Sequence, residues 1–309
     1  MDTTKPYKIN VGELPLVVWK GNKNEWISTV NVCKHMGSAL DNGKIKNGCL
    51  KCQYHGLEYS KNDRFGETLW YQGKLYWAYD PIAERPQGLS MYEDDSYVKS
   101  FLQVDMDCSL QDSAFNTMDI RHPEYVHSMG FGNNQPPKNI QHYRSDDKNK
   151  IHLDFEYTSN VIMQQLNNRI KSTQNSHVYE YPSFTHSTVS FGNNHLVIGV
   201  NFLPLEPKKT RWFVTICHNY KKMEYEKDLM KLLASTILTQ DYFQMKNQYL
   251  ENELKKEIMF QHVFHDEEAV AWLKEMFEIN GYAYPDTKMC TELYKDYKQR
   301  LPGDHKKSI

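Results

Sequence analysis

The chain has 309 residues, enough for about two domains, and its 37 basic and 39 acidic side chains leave a formal net charge of −2. That balance offers no basic surface for nucleic acid, and no apolar run, Leu14–Trp19 (LPLVVW) included, approaches the roughly 18 residues needed to cross a bilayer. With no charged-then-apolar leader and six scattered cysteines that read as reduced thiols or metal ligands, the composition fits a cytoplasmic enzyme.

Residues 5–100 alternate short apolar runs (LPLVVWKG, WISTVNV, GCLKC, KLYWAY) with Gly, Asn and Asp turns, the pattern of an all-β unit of short strands. Inside it lie two knuckles, Cys33-Lys34-His35 and Cys52-Gln53-Tyr54-His55, each followed closely by a glycine, Gly37 and Gly56. Two thiolates and two imidazoles are the ligand set of a Rieske [2Fe–2S] cluster, in which the cysteines hold one iron and the histidines the other. A structural zinc site uses the same residue types, but zinc fingers place both cysteines before both histidines. Cys49 lies near the second knuckle, yet Cys33, His35, Cys52 and His55 complete the set without it. The loop from Asp80 to Gly88 (DPIAERPQG) is a plausible boundary, and the chain divides into expected domains 1–100 and 101–309.

The segment LQDSAFNTMDIR reads as a helix and leads into N-x-x-D-x-x-H-x-x-x-x-H, which supplies Asn116, Asp119, His122 and His127. Asn116, Asp119 and His122 step by three, the spacing of one helix face. Two histidines five apart diverge on an ideal helix, so Pro123 is expected to kink the chain at His122 and return His127 toward it. Two imidazoles with one carboxylate form the triad of non-haem Fe(II) oxygenases, which leaves open positions for O2. After a polar loop over 130–139, alternation predicts strands near 151–158, 177–182, 186–191, 195–204 and 211–220. Residues 222–258 contain no Gly or Pro and predict a long helix whose apolar stripe comprises Leu229, Leu232, Leu233, Ile237, Leu238, Phe243 and Met245. Asp241 sits mid-helix in apolar company and is the candidate carboxylate; Asp228, Glu251 and Glu253 lie among other charges. A further helix is expected over 266–279, and the tail from Leu301 is polar.

On these residues the chain resembles the Rieske non-haem iron oxygenases over roughly residues 8–260. CKHMGSAL and CQYHG are similar to the family's two cluster loops, with Lys34 where proline is frequent and Leu57 where an aromatic is common. Gln240-Asp241 followed by Gln248 resembles the segment whose Asp is the third iron ligand. The resemblance implies an α+β architecture, an all-β Rieske domain followed by a helix-grip catalytic domain with an antiparallel sheet and a long C-terminal helix. It implies mononuclear Fe(II) on His122, His127 and Asp241, and O2 as co-substrate. Asp119 would be the acid joining His55 of one subunit to His122 of the next in a homotrimer. Asn116 resembles a family asparagine near the iron; an ordinary helix hydrogen bond is its other reading. The activity implied is hydroxylation or oxidative demethylation of a small organic substrate. No G-x-G-x-x-G follows a strand and opens a helix, so electrons would come from a separate NAD(P)H-dependent reductase, with or without a ferredoxin. The pocket is expected from 150–205 and 225–245, among them Phe155, Tyr157, Met163, Phe184, Phe191 and Phe202 with Gln164, Gln165 and Asn167. A Rieske-type electron carrier without oxygenase activity, and a structural zinc protein, are the competing classes.

Overall fold

In the computed structural model, the structure describes residues 2–82, 84–127, 135–158, 172–220, 226–247, 268–280 and 287–300. The chain forms two compact units, one from Met1–Pro86 with Ala283–Ile309, the other from Gln87–Tyr282. The division falls inside the DPIAERPQG loop rather than at residue 100, and the end of the chain belongs with its beginning rather than with the second unit.

The first unit is built from three small antiparallel sheets. β1 (Tyr7–Val11), β2 (Leu14–Lys20) and β3 (Trp26–Val30) form a meander. β4 (Lys44–Lys46), β5 (Cys49–Lys51) and β6 (Glu58–Tyr59) form another, and β7 (Glu67–Tyr71) pairs with β8 (Lys74–Ala78). The near-continuous apolar run of β2 reflects a strand covered on both faces, since successive side chains point to opposite sides. Val17 and Trp19 enter a core with Leu40, Leu50, Tyr59 and both knuckle cysteines. Leu14 and Leu16 enter a second core with Val30 and Phe65. A helix over Thr287–Arg300, not foreseen from its polar sequence, closes this second core with Cys290 and Tyr297.

The second unit is a seven-stranded antiparallel sheet. Its strands are β9 (Val98–Met106), β10 (Lys138–Arg144), β11 (Lys150–Thr158), β12 (Ser172–Glu180), β13 (Phe184–Phe191), β14 (Asn194–Glu206) and β15 (Lys209–His218). The order is β10-β11-β12-β13-β14-β15-β9, a meander with the first strand returned to its far edge. All five predicted strands are present, with β12 starting five residues early; β9 and β10 were not anticipated.

Four helices belong to this unit among the described residues: α1 (Leu110–Met118), α2 (His122–Tyr125), α3 (Glu226–Asn247) and α4 (Glu268–Asn280). The helix of the first unit, Thr287–Arg300, is α5. Ser109 caps α1: its hydroxyl accepts the Asp112 N–H at 3.0 Å while the Asp112 carboxylate accepts the Ser109 N–H at 3.3 Å. One face of the sheet, carrying Leu153, Phe155, Tyr179, Val189, Phe191 and Val200, packs with buried residues of α1, α3 and α4 in one core.

The buried side of α3 is Leu238, Asp241 and Met245, flanked by half-buried Met230, Ala234, Ile237 and Tyr242. This corrects the predicted stripe, because Leu229, Leu232, Leu233 and Phe243 are exposed. The amphipathic signal is weak where one carboxylate occupies the centre of the buried face. Gln248, Glu251, Glu253, Met163, Gln164, Gln165, Asn167 and the start of the helix expected at 266 lie outside the described residues.

Candidate metal centres

The two knuckles are built alike. In the first, Cys33 N–H donates to the Ser38 carbonyl at 2.8 Å and Gly37 N–H to the Cys33 carbonyl at 2.8 Å. In the second, Cys52 N–H donates to Leu57 at 2.8 Å and Gly56 N–H to Cys52 at 2.9 Å. Gly37 and Gly56 have φ of +74° and +75°, with nothing within 4 Å of an added Cβ, so backbone conformation and not crowding requires glycine there. Cys33 and Cys52 are buried, while His35 and His55 are exposed with ring centroids 4.7 Å apart. Burial works against ionisation of Cys52, but main-chain N–H groups of Tyr54 and His55 and contacts with Cys33 and Ser38 outweigh it and lower its pKa. A thiolate stabilised in this way is the form that binds metal.

The second centre joins three elements. Helical geometry stops at Met118, and Asp119 is extended with ψ of 107°. It resumes at His122, where Pro123 fits the first turn because the missing N–H needs no partner there. The break therefore lies at Asp119–Arg121, upstream of the expected kink, and Asp119 does not share a helical face with Asn116 and His122. α2 ends after Tyr125, which returns buried His127 toward His122, their Nε2 atoms 3.3 Å apart. Asp241 Oδ1 lies 3.1 Å from His127 Nε2 and 3.5 Å from His122 Nε2. Among the described residues these three form the group of His, Cys, Asp or Glu whose ligand atoms all lie within 4.8 Å of one another.

The hydrogen bonds beyond the triad fix which nitrogens face inward. His122 Nδ1 lies 2.7 Å from the Asp119 carbonyl, and His127 Nδ1 lies 2.9 Å from Gln240 Oε1. Both acceptors demand a proton on Nδ1, so in the neutral imidazoles the Nε2 lone pairs converge, as at a metal site with oriented histidines, whereas in the protonated imidazoles Nε2 donates to Asp241. Asn116 Nδ2 donates to Asp241 Oδ1 at 3.3 Å. Burial opposes the charge on Asp241, but its hydrogen bonds from His122 and His127 and their charges hold its pKa well below the usual carboxylate range. Burial likewise opposes a charge on His122, and Asp241 and Asp119 outweigh it and raise its pKa. Two nitrogen donors and a carboxylate about 3 Å apart fit a cation with bonds of about 2.1 Å, and the set suits Fe(II) with vacant positions.

Asp119 Oδ1 accepts the N–H groups of Arg121 and His122 at 2.8 and 3.2 Å, while the carboxylate stays half exposed. Sequence reasoning did not assign roles to Gln240, the Asp119 carbonyl or His177; only the adjacency of Gln240 to Asp241 hinted at one. His177 packs edge-on against Phe155 at 4.9 Å, its Nδ1 buried without a partner, and burial followed by the charge of His122 pushes it down to about 4. Phe155, Tyr157, Phe191 and Phe202 belong to the core shared with the helices. Phe184 instead packs with Leu89, Val197 and Cys217, in a cluster apart from that core.

Residues 1–68 match the family of Rieske [2Fe–2S] domains. Over 57 residues the chain is 32% identical to aminopyrrolnitrin oxygenase PrnD of Pseudomonas fluorescens, a stretch covering 18% of this chain and 16% of that protein. Over nearly the whole length it shares a fold with NdmA of Pseudomonas putida CBB5, as a QL mutant solved with theobromine, at a TM-score of 0.71 and 17% identity, covering 99% of this chain and 92% of the other. Apo dicamba monooxygenase matches at a TM-score of 0.69 and 13% identity, covering 96% and 94%. The chain thus carries a Rieske domain and has the α+β fold of these two structures.

Proposed function

We propose that the chain is the oxygenase component of a Rieske-type system, and that it hydroxylates or oxidatively demethylates a small organic substrate with O2 and externally supplied electrons. The observation that carries this reading is the convergence of His122, His127 and Asp241 in the unit beyond the Rieske domain. An electron carrier needs the cluster alone. The similar proteins PrnD and dicamba monooxygenase, named as an oxygenase and a monooxygenase, support the same reading.

Cys33 and Cys52 would hold one cluster iron, His35 and His55 the other, and His122, His127 and Asp241 a mononuclear Fe(II). When bound, the cluster supplies an electron and the mononuclear iron activates O2 beside the substrate. The chain's own task is to keep the ligands oriented and water out. The Asp119 carbonyl and Gln240 set the imidazole tautomers, and Asn116 holds the free swing of Asp241. A small organic molecule bound beside the triad would meet apolar side chains of the core around Phe155 and Phe191, with neutral His177 as a polar group among them. The half-exposed Asp119 carboxylate is the group we assign to bridge His122 to His55 of a neighbouring copy in a homotrimer. A separate reductase, with or without a ferredoxin, would supply the electrons.

The test is metal and sulfide analysis of anaerobically purified protein. About three irons and two sulfides per chain are expected, two irons and both sulfides belonging to the cluster. His122→Ala should keep the cluster's colour, lose one iron and abolish turnover. A His122→Ala protein that kept all its iron would overturn the triad, and zinc without sulfide would overturn the cluster.

A further inference from the structure

The helix-covered face of the sheet has a gap in its burial. His177 on β12, Ser187 on β13 and Ile198 on β14 lie directly opposite one another in register, so their side chains share that face. All three are half-buried. Their neighbours two residues away along each strand are buried: Asn175 and Tyr179, Thr185 and Val189, Leu196 and Val200. The row is closed at its ends as well, by Leu153 opposite His177 and Ile216 opposite Ile198, both 1% exposed. Accessible surface ringed on every side by buried side chains marks a recess within the face.

The recess lies beside the metal triad. Phe155 touches both Tyr157 and His177, its ring centroid 5.0 and 4.9 Å from theirs. Tyr157 in turn donates its hydroxyl to the carbonyl of Ile120, two residues before His122, and the charge of His122 acts on His177.

The floor of the recess is polar on one side and apolar on the other. With its pKa pushed down to about 4 by burial and then by His122, the His177 ring is neutral near pH 7. Its Nδ1 has no hydrogen-bond partner among the described residues, and polar groups in protein interiors seldom stay unpaired. A neutral imidazole carries one donor and one acceptor nitrogen, and a hydroxyl can do both. Side chains directly opposite on neighbouring strands have Cβ atoms about 5 Å apart, so His177 and Ser187 can engage adjacent atoms of one small group. Among the described residues this face of β11–β14 carries no Lys or Arg. An anionic group on the floor would therefore face no cation of the sheet, and burying a charge without a partner is costly.

We propose that His177 and Ser187 are specificity-determining residues, which together hydrogen-bond the N–H and C=O of an uncharged amide or lactam while Ile198 packs against the rest of the substrate. An amide presents a donor and an acceptor on neighbouring atoms and satisfies both residues at once. An ether or ketone offers acceptors alone, and a carboxylate adds a charge. The proposal deepens the oxygenase reading and rests on His122, His127 and Asp241 holding Fe(II).

The experiment uses the whole iron-loaded chain, reduced and treated with nitric oxide, whose ferrous nitrosyl signal in electron paramagnetic resonance responds to molecules bound beside the iron. Benzamide and benzoate, alike in shape and different in charge, are titrated near pH 7 at millimolar concentrations. Benzamide is expected to perturb the signal and to bind at least about tenfold more tightly than benzoate. Ser187→Ala and His177→Phe should each weaken benzamide about tenfold, the scale of one lost hydrogen bond that leaves a buried group unpaired, with iron content unchanged. His177→Asn, which keeps a donor and an acceptor, should retain most of the affinity, and serves with Ser187→Ala if His177→Phe does not fold. Benzoate binding as tightly as benzamide, no binding of benzamide, or an unchanged benzamide affinity in Ser187→Ala or His177→Phe would each overturn the proposal. A native chain that gives no ferrous nitrosyl signal would instead overturn the iron site on which it rests.

Discussion

Gln240 touches no metal in the proposed site, yet the geometry makes His127 depend on it. Gln240→Leu leaves the Nδ1–H of a buried imidazole without its acceptor. Loss of such a partner costs about 10–100-fold in metal affinity. The expected outcome is faster loss of one iron to a chelator with an unchanged cluster spectrum. His177 makes a second residue-level prediction. Its pKa falls from 6.5 to about 4 on folding, so between those values the unfolded chain takes up a proton that the folded chain refuses. Its contribution to stability is complete above pH 6.5 and is lost as pH falls toward 4. At about 1.4 kcal/mol per unit the loss reaches about 3 kcal/mol. Denaturation midpoints of His177→Gln, which does not titrate, should therefore fall less steeply than those of the native chain over that range. The seven proposed ligands could be picked out in the sequence because metal binding confines residue type and spacing together. Gln240, His177 and the Asp119 carbonyl were not, because orientation is supplied by whichever polar group the fold happens to bring near, and any amide or carbonyl serves.

At the scale of elements, β9 shows why the sheet was only partly readable. It lies directly before α1 in sequence, but its partner is β15, with Asp105 opposite Arg211. Arg211 Nε and Nη2 donate to Asp105 Oδ1 and Oδ2 at 2.6 and 2.8 Å, and this bond to Arg211, ahead of the opposing burial, lowers the Asp105 pKa. Asp105→Asn should cost about 0.5–1 kcal/mol near neutrality, the range of a partly exposed bidentate pair. The difference should begin to shrink as pH falls past the carboxylate's ordinary value of 3.8 and vanish once pH passes the lowered value of the folded state, where the native Asp105 also loses its charge. Urea titrations at paired pH values would show it, and a gap that persisted in acid would assign the effect to packing. Strands β11 and β13–β15 announced themselves by alternation of apolar and polar residues. β10 did not, because its burial alternates only between exposed and half-buried positions. In α3 the exposed leucines misled for a related reason: periodicity counts apolar residues wherever they point, and Leu229, Leu232 and Leu233 point outward.

At the scale of the whole chain, the first unit is completed by its most distant segment. Tyr297 packs on Phe65 at 5.2 Å between centroids, Tyr79 donates to Asp296 at 2.6 Å, and the Cys290 thiol reaches the Val11 carbonyl at 3.3 Å. Tyr297→Ala should destabilise the first unit by about 3 kcal/mol, as for other large buried aromatics. The cluster's visible absorbance should then bleach at lower denaturant, while the second unit's transition stays where it was; coincident shifts in both transitions would argue against a local effect. No sequence signal marked this association, since α5 is polar on most of its surface and its apolar partners precede it by more than 200 positions. The same separation has a consequence for biosynthesis. A ribosome releases Val11, Phe65 and Tyr79 long before it reaches Cys290, 279 residues beyond Val11, and domains generally fold as units during synthesis. The sheet unit has all its residues in the nascent chain while the cluster unit still lacks its last helix, so the part made first is the part finished last.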